Sequence, residues 1–108
     1  MSIEEWREYF KKSGLEEEVI EGNYRYNLSG TGIILIKNEK IHLIQDITIS
    51  DRYGYEIEVG KEVKEYSIDE EDEVKEGLER IQDRYNKLVQ LIKMMGLYNK
   101  KINIMKDF

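Results

Sequence analysis

Cysteine, proline and alanine are all absent from this 108-residue chain. Without cysteine there are no disulfides, no thiolate metal sites and no thiol nucleophile. Without proline there is no slow prolyl isomerisation. Without alanine, every helix must fill its buried face with larger side chains. Long apolar runs are missing too: the longest is Ile33-Ile34-Leu35-Ile36, far below the roughly 20 residues that span a bilayer. The opening Met1-Ser2-Ile3-Glu4-Glu5 has neither a basic nor an apolar segment, so no secretory leader is expected and the expected location is cytoplasmic. Histidine occurs once, at His42. With no cysteine or second histidine at ligand spacing, no zinc site is expected.

What is present is charge, unevenly placed. Hydrophobic residues make up 40% and charged residues 37%, with a net charge of −6. Residues 1–61 carry 8 basic and 12 acidic groups, residues 62–79 carry 2 and 9, and residues 80–108 carry 7 and 2. The balances of −4, −7 and +5 sum to −6. An acidic middle therefore precedes a basic end.

Periodicity predicts the elements. Ser2 with Glu5 forms a capping-box pattern ahead of Ile3, Trp6 and Phe10, which share one helical face. Ser13-Gly14 offers a stop, with Leu15 placed to fold back after a glycine C-cap. The stretch from Leu15 to Glu21 fits either a short second helix or an early strand. From Tyr24 the period becomes two, through Tyr26 and Leu28. Ile33–Ile36 is apolar on both faces, as in a central strand covered on both sides. Asn38-Glu39 reads as a tight turn. Ile41, Leu43, Ile47 and Ile49 share one face, with Gln45 as the polar exception. Ser50 to Gly54 reads as another turn, followed by Tyr55, Ile57 and Val59 in alternation. Val63 to Ile68 adds a short edge strand.

Ser67 and Glu70 form a second capping box, and the acidic run from Asp69 to Glu73 favours a helix N-terminus. Val74, Leu78, Ile81, Tyr85, Leu88, Ile92 and Met95 then recur at helical spacing to a stop at Gly96. Ile102 and Ile104 alternate beyond it, a pattern open to a short terminal strand. The expected fold is a single α+β domain over 1–108: an N-terminal helix, an antiparallel β-meander of about four strands, and a long C-terminal helix.

Motifs that carry chemistry are weak. Ser29-Gly30-Thr31-Gly32 is glycine-rich but leads into a strand, where phosphate-binding loops lead into a helix. A hairpin turn or bulge accounts for it better. Asp51 with Glu62-Val63-Lys64 has the carboxylate and lysine types of a metal-dependent nuclease. With 17 Glu and 12 Lys, chance supplies about two Glu-x-Lys triplets, and two occur, the other being Glu73-Val74-Lys75. No nucleophile elbow accompanies His42. No catalytic residue, cofactor or metal is expected. The tyrosines at 24, 26, 53, 55 and 66 could stack bases, but the negative charge around them repels phosphate, so direct nucleic-acid contact is not expected.

The residues left for function are acidic or apolar. Glu56, Glu58, Glu62, Glu65, Asp69, Glu70, Glu71, Asp72, Glu73 and Glu76, with Glu79 beyond, form a candidate band for a protein partner with a basic surface. In size, acidity and a composition matching AT-rich codons, the chain resembles small phage or viral proteins that inhibit host defence enzymes, including anti-CRISPR inhibitors. That likeness is one of character and rests on no shared motif. It implies an inhibitor that imitates nucleic-acid phosphates in the host cytoplasm. The alternative is a homodimer, with no inhibitory role, built on Leu88, Val89, Leu91, Ile92, Met94 and Met95. A membrane partner is not expected.

Overall fold

The computed structural model describes residues 1–50 and 56–106, with side chains of the last helix described as far as Met94. The architecture is α+β, as the patterning implies: a short helix, an antiparallel sheet and a long helix. Helix α1 spans Ile3–Lys12, and its capping box forms: the Glu5 amide donates to Ser2 Oγ and the Ser2 amide to Glu5 Oε1. It ends in a Schellman motif. Gly14 adopts φ +92°, its amide donates to Lys11, and the Leu15 amide reaches back to Phe10. This αL residue suits glycine, which has no Cβ to clash.

Leu15 to Glu21 resolves as strand β1 (Glu16–Ile20), followed by β2 (Asn23–Leu28), β3 (Thr31–Lys37) and β4 (Lys40–Ile44). Three successive two-residue turns join them: Glu21-Gly22, Ser29-Gly30 and Asn38-Glu39. Both residues of each have positive φ, the backbone that matches the twist of an antiparallel hairpin. The glycine-rich segment is thus a turn, and the ladder is irregular beyond it, with Ile33 the extra residue opposite Tyr26/Asn27.

Ile41 to Ile49 does not form one strand. It breaks at Gln45-Asp46 into β4 and β5 (Ile47–Ser50), and the returning chain breaks likewise into β6 (Glu56–Val59) and β7 (Val63–Ser67). Three linking residues, Gly60 to Glu62, oppose two on the other side, held by Gly60 N–H to Asp46 and Gln45 N–H to Glu62. An extra residue on one strand bends a ladder. The result is a five-stranded sheet of order β1-β2-β3-β4-β7 and a separate β5-β6 ribbon. The expected turn at Ser50–Gly54 and the nuclease-type Asp51 fall largely or wholly outside the described residues.

One face of the sheet carries Tyr26, Ile34, Ile36, Ile41, Leu43 and Tyr66. Against it pack Trp6 and Phe10 of α1 and Val74, Leu78, Ile81 and Leu88 of α2 (Glu71–Lys106) in one buried cluster. Gly77 permits a close approach of α2 to the sheet: a Cβ there would lie 2.5 Å from Leu43 Cδ2.

Two boundary expectations are corrected. Helix α2 runs through Gly96 to Lys106, and Ile102–Ile104 is helix instead of a terminal strand. One interior glycine costs a helix only about 1 kcal/mol, too little to end one already propagating. The 36 residues extend for about 54 Å, which accounts for most of the 61 Å long axis of the molecule. None of the helices among the described residues is long and apolar enough to cross a membrane.

Candidate functional site

The acidic residues do not converge on one surface. Glu56 and Glu58 are exposed on β6, alternating with half-buried Ile57. Glu62 is exposed in the link to β7. Glu65 alternates with buried Tyr66, so it points away from α2, where Lys40 Nζ pairs with it at 2.8 Å and holds its pKa down. The others cluster at the start of α2.

Several of these carboxylates have structural work. Glu70 Oε1 accepts from the Ser67 amide at 3.0 Å, while Ser67 Oγ takes the Asp69 amide. This is a variant of the expected capping box, closed one residue earlier. Glu71 pairs with Lys75 at 2.8 Å, and that hydrogen bond lowers its pKa. Asp69, Asp72, Glu73, Glu76 and Glu79 are exposed and make no ion pair among the described residues.

Helical geometry sorts these further. At about 100° per residue, Asp72, Glu76, Glu79 and Asp83 lie within about 40° of the direction opposite buried Val74. All four are exposed. They form a row at i, i+4, i+7 and i+11 on a helix whose opposite stripe is anchored in the core. Asp83, paired with Lys87 at 2.9 Å, escaped notice in the sequence because it sits in the basic segment. Asp69 and Glu73 flank the row.

The apolar candidates divide as well. Leu88 is buried in the chain's own core. Val89 and Ile92 are half-buried and face a hollow shared with Ile57 and Tyr85. Leu91 and Met94 are 43% and 66% exposed. The Met95 side chain lies outside the described residues.

A second titratable cluster was not singled out in the sequence. Arg7 donates to both Glu17 oxygens at 3.1 and 3.0 Å, and the Tyr26 hydroxyl donates to Glu17 Oε2 at 2.7 Å. The Arg7 hydrogen bonds bring the Glu17 pKa down to about 2. Burial, then the Glu17 contact, raises that of Tyr26. Arg7 also lies 4.0 Å over the Tyr24 ring. The cluster satisfies a buried hydroxyl and ties α1 to β1 and β2. Tyr26 and Tyr66 are buried and Tyr24 half-buried beneath Arg7, so these three form no open stacking platform. Tyr53 and Tyr55 lie outside the described residues.

No group of three or more His, Asp or Glu side chains among the described residues converges to hold a metal ion. No family model, curated protein or solved structure matches the chain.

Proposed function

We propose that this chain is a non-catalytic protein-binding module that presents the acidic outer row of α2 to a basic surface on a partner. The observation that carries this reading is the row itself. Asp72, Glu76 and Glu79 are exposed, project from one face of an anchored helix and serve no cap or ion pair among the described residues. Asp72 and Glu76, four residues apart on one helix face, repel, a cost that a basic partner relieves, with exposed Arg80 the neighbouring cation beside Glu76 and Glu79. The three span about 10.5 Å of axis, one charge per about 5 Å against about 3.4 Å per phosphate on a DNA strand. The row is sparser than a phosphate backbone, but its single sign and regular spacing support a partner whose basic groove ordinarily holds nucleic acid, with the chain acting as its inhibitor.

The test is Asp72→Lys, Glu76→Lys and Glu79→Lys together, which spares the Glu70 cap and the Glu71–Lys75 pair. Capture of partners from the native host should be lost with the far-UV CD spectrum unchanged. For the parent chain it should weaken steeply with salt, since screening acts within about 10 Å at 0.1 M. Undiminished capture by the triple variant would refute the reading.

The exposure of Leu91 and Met94 favours a second reading, a homodimer along α2. Sedimentation equilibrium separates the two. A mass staying at 12.9 kDa at micromolar concentration excludes the dimer. A doubled mass that Leu91→Glu with Met94→Glu returns to a folded monomer establishes it.

A further inference from the structure

An antiparallel sheet with helices on one face ordinarily turns polar side chains to water on the other. Here the other face is apolar at its centre. The register that turns Ile34, Ile36 and Leu43 toward the helices turns Leu35 and Ile44 away from them, while Ile33, the unpaired residue where the β2–β3 ladder is irregular, lines the same hollow. The bent ribbon brings β6 close to β3 and covers only part of this surface. Ile33 and Ile44 are 2% and 7% exposed and form a floor, while Val59 and Val63, at 43% and 53%, stand as open walls. Between them is a groove of about 500 Å³, within the range of about 300–1,000 Å³ typical of small-ligand sites.

Few polar groups border this groove: Arg25, Thr31 and His42. Arg25 is held in place. Its Nε donates to Asn27 Oδ1 at 2.9 Å, and it lies across Gly32, where a Cβ would come 2.6 Å from that Nε. Glycine at 32 therefore leaves room for the guanidinium at the groove's edge. Its terminal nitrogens make no hydrogen bond among the described residues. The nearest carboxylate oxygen, Glu18 Oε1, is 3.6 Å from Nε with both side chains about half exposed, a weak pair. Glu65, three strands across the sheet from Arg25, is engaged by Lys40.

We infer that this groove binds a free aliphatic monocarboxylate, its chain on Ile33, Leu35 and Ile44 and its carboxylate on the Arg25 fork. Charge complementarity selects the occupant: a planar cation at the edge of an apolar trough matches an anionic head on an apolar body. The arriving carboxylate displaces Glu18, its weaker competitor.

The experiment is an amide chemical-shift titration of the whole protein with sodium octanoate, and with 1-octanol as the uncharged equivalent. Octanoate should shift the amides of Ile33, Leu35, His42 and Ile44 and bind about tenfold more tightly than octanol, the scale of one charged hydrogen bond. Arg25→Gln should erase that preference. Glu18→Gln should tighten octanoate binding, and Gly32→Ala should weaken it although no charge changes. If Gly32→Ala fails to fold, the two surface variants carry the test. Absence of groove shifts, equal binding of octanol, or an unaltered preference in Arg25→Gln overturns the proposal. So does a dimer that Leu35→Glu converts to monomer, because the groove's occupant is then a second copy.

Discussion

The indole Nε1 of Trp6 donates to the carbonyl oxygen of Ile68 at 2.9 Å, across 62 residues of sequence. The Met1 ammonium reaches the same oxygen at 3.2 Å. One carbonyl thus fixes α1 against the turn that launches α2, while the indole ring stacks on Phe10 at 5.4 Å.

Trp6→Phe should therefore cost about 1–2 kcal/mol, for a lost hydrogen bond and an imperfect fill. Trp6→Ala should cost about 3–5 kcal/mol. Urea denaturation checks both. The parent protein's fluorescence maximum should be that of a buried indole, since Trp6 is fully buried.

The Arg7–Glu17–Tyr26 cluster predicts the pH dependence of stability. Glu17 titrates near 2 in the fold against an ordinary 4.5. A depressed pKa stabilises above the unfolded value, and that contribution is lost as pH falls from about 4.5 toward 2. Tyr26 titrates above its ordinary 10.0. A raised pKa stabilises below the unfolded value, and this contribution fades as pH climbs past 10. Urea midpoints should be flat between about pH 6 and 9 and fall at either end. Tyr26→Phe should remove much of the alkaline loss and keep most of the acid one.

Gly77→Ala should destabilise, against helix propensity. Propensity alone favours alanine by about 1 kcal/mol. The new Cβ would meet Leu43 Cδ2 at 2.5 Å, and Leu43 is fully buried, so overpacking of about 1–3 kcal/mol wins. A double-mutant cycle with Leu43→Val, which removes the clashing atom, should show favourable coupling. A stabilised single variant would mean that the helix stands off the sheet.

Glu39→Gly should stabilise by about 1 kcal/mol. Glu39 holds φ +59°, a conformation that costs an L-residue about 1–2 kcal/mol, offset in part by the extra unfolded-state freedom of glycine. The resulting Asn-Gly turn is the preferred pair for such a hairpin. An unchanged thermal midpoint would contradict this turn geometry.

Local chemistry was enough to specify much of this molecule. Ser2 and Glu5 cap α1, Gly14 ends it, and Leu15 folds back, because each interaction closes within five residues. Alternation placed β2 and β6, the continuous apolar run Ile33–Ile36 placed β3, and the 4-3 spacing from Val74 placed α2, since each pattern marks the surface an element must bury. What the sequence left open needed partners distant in the chain. Leu15 to Glu21 became strand because Asn23–Leu28 supplies a ladder for it. The bend at Gln45 depends on three residues opposing two across the sheet. Gly96 passed as a helix interior because propagation outweighs one glycine. The acidic band looked continuous along the chain, but strand alternation turns Glu65 away from α2. Helical rotation then selects Asp72, Glu76 and Glu79 as the outward row. Charge is a property of sequence, but which charges share a face is set by the twist and packing of the elements that carry them.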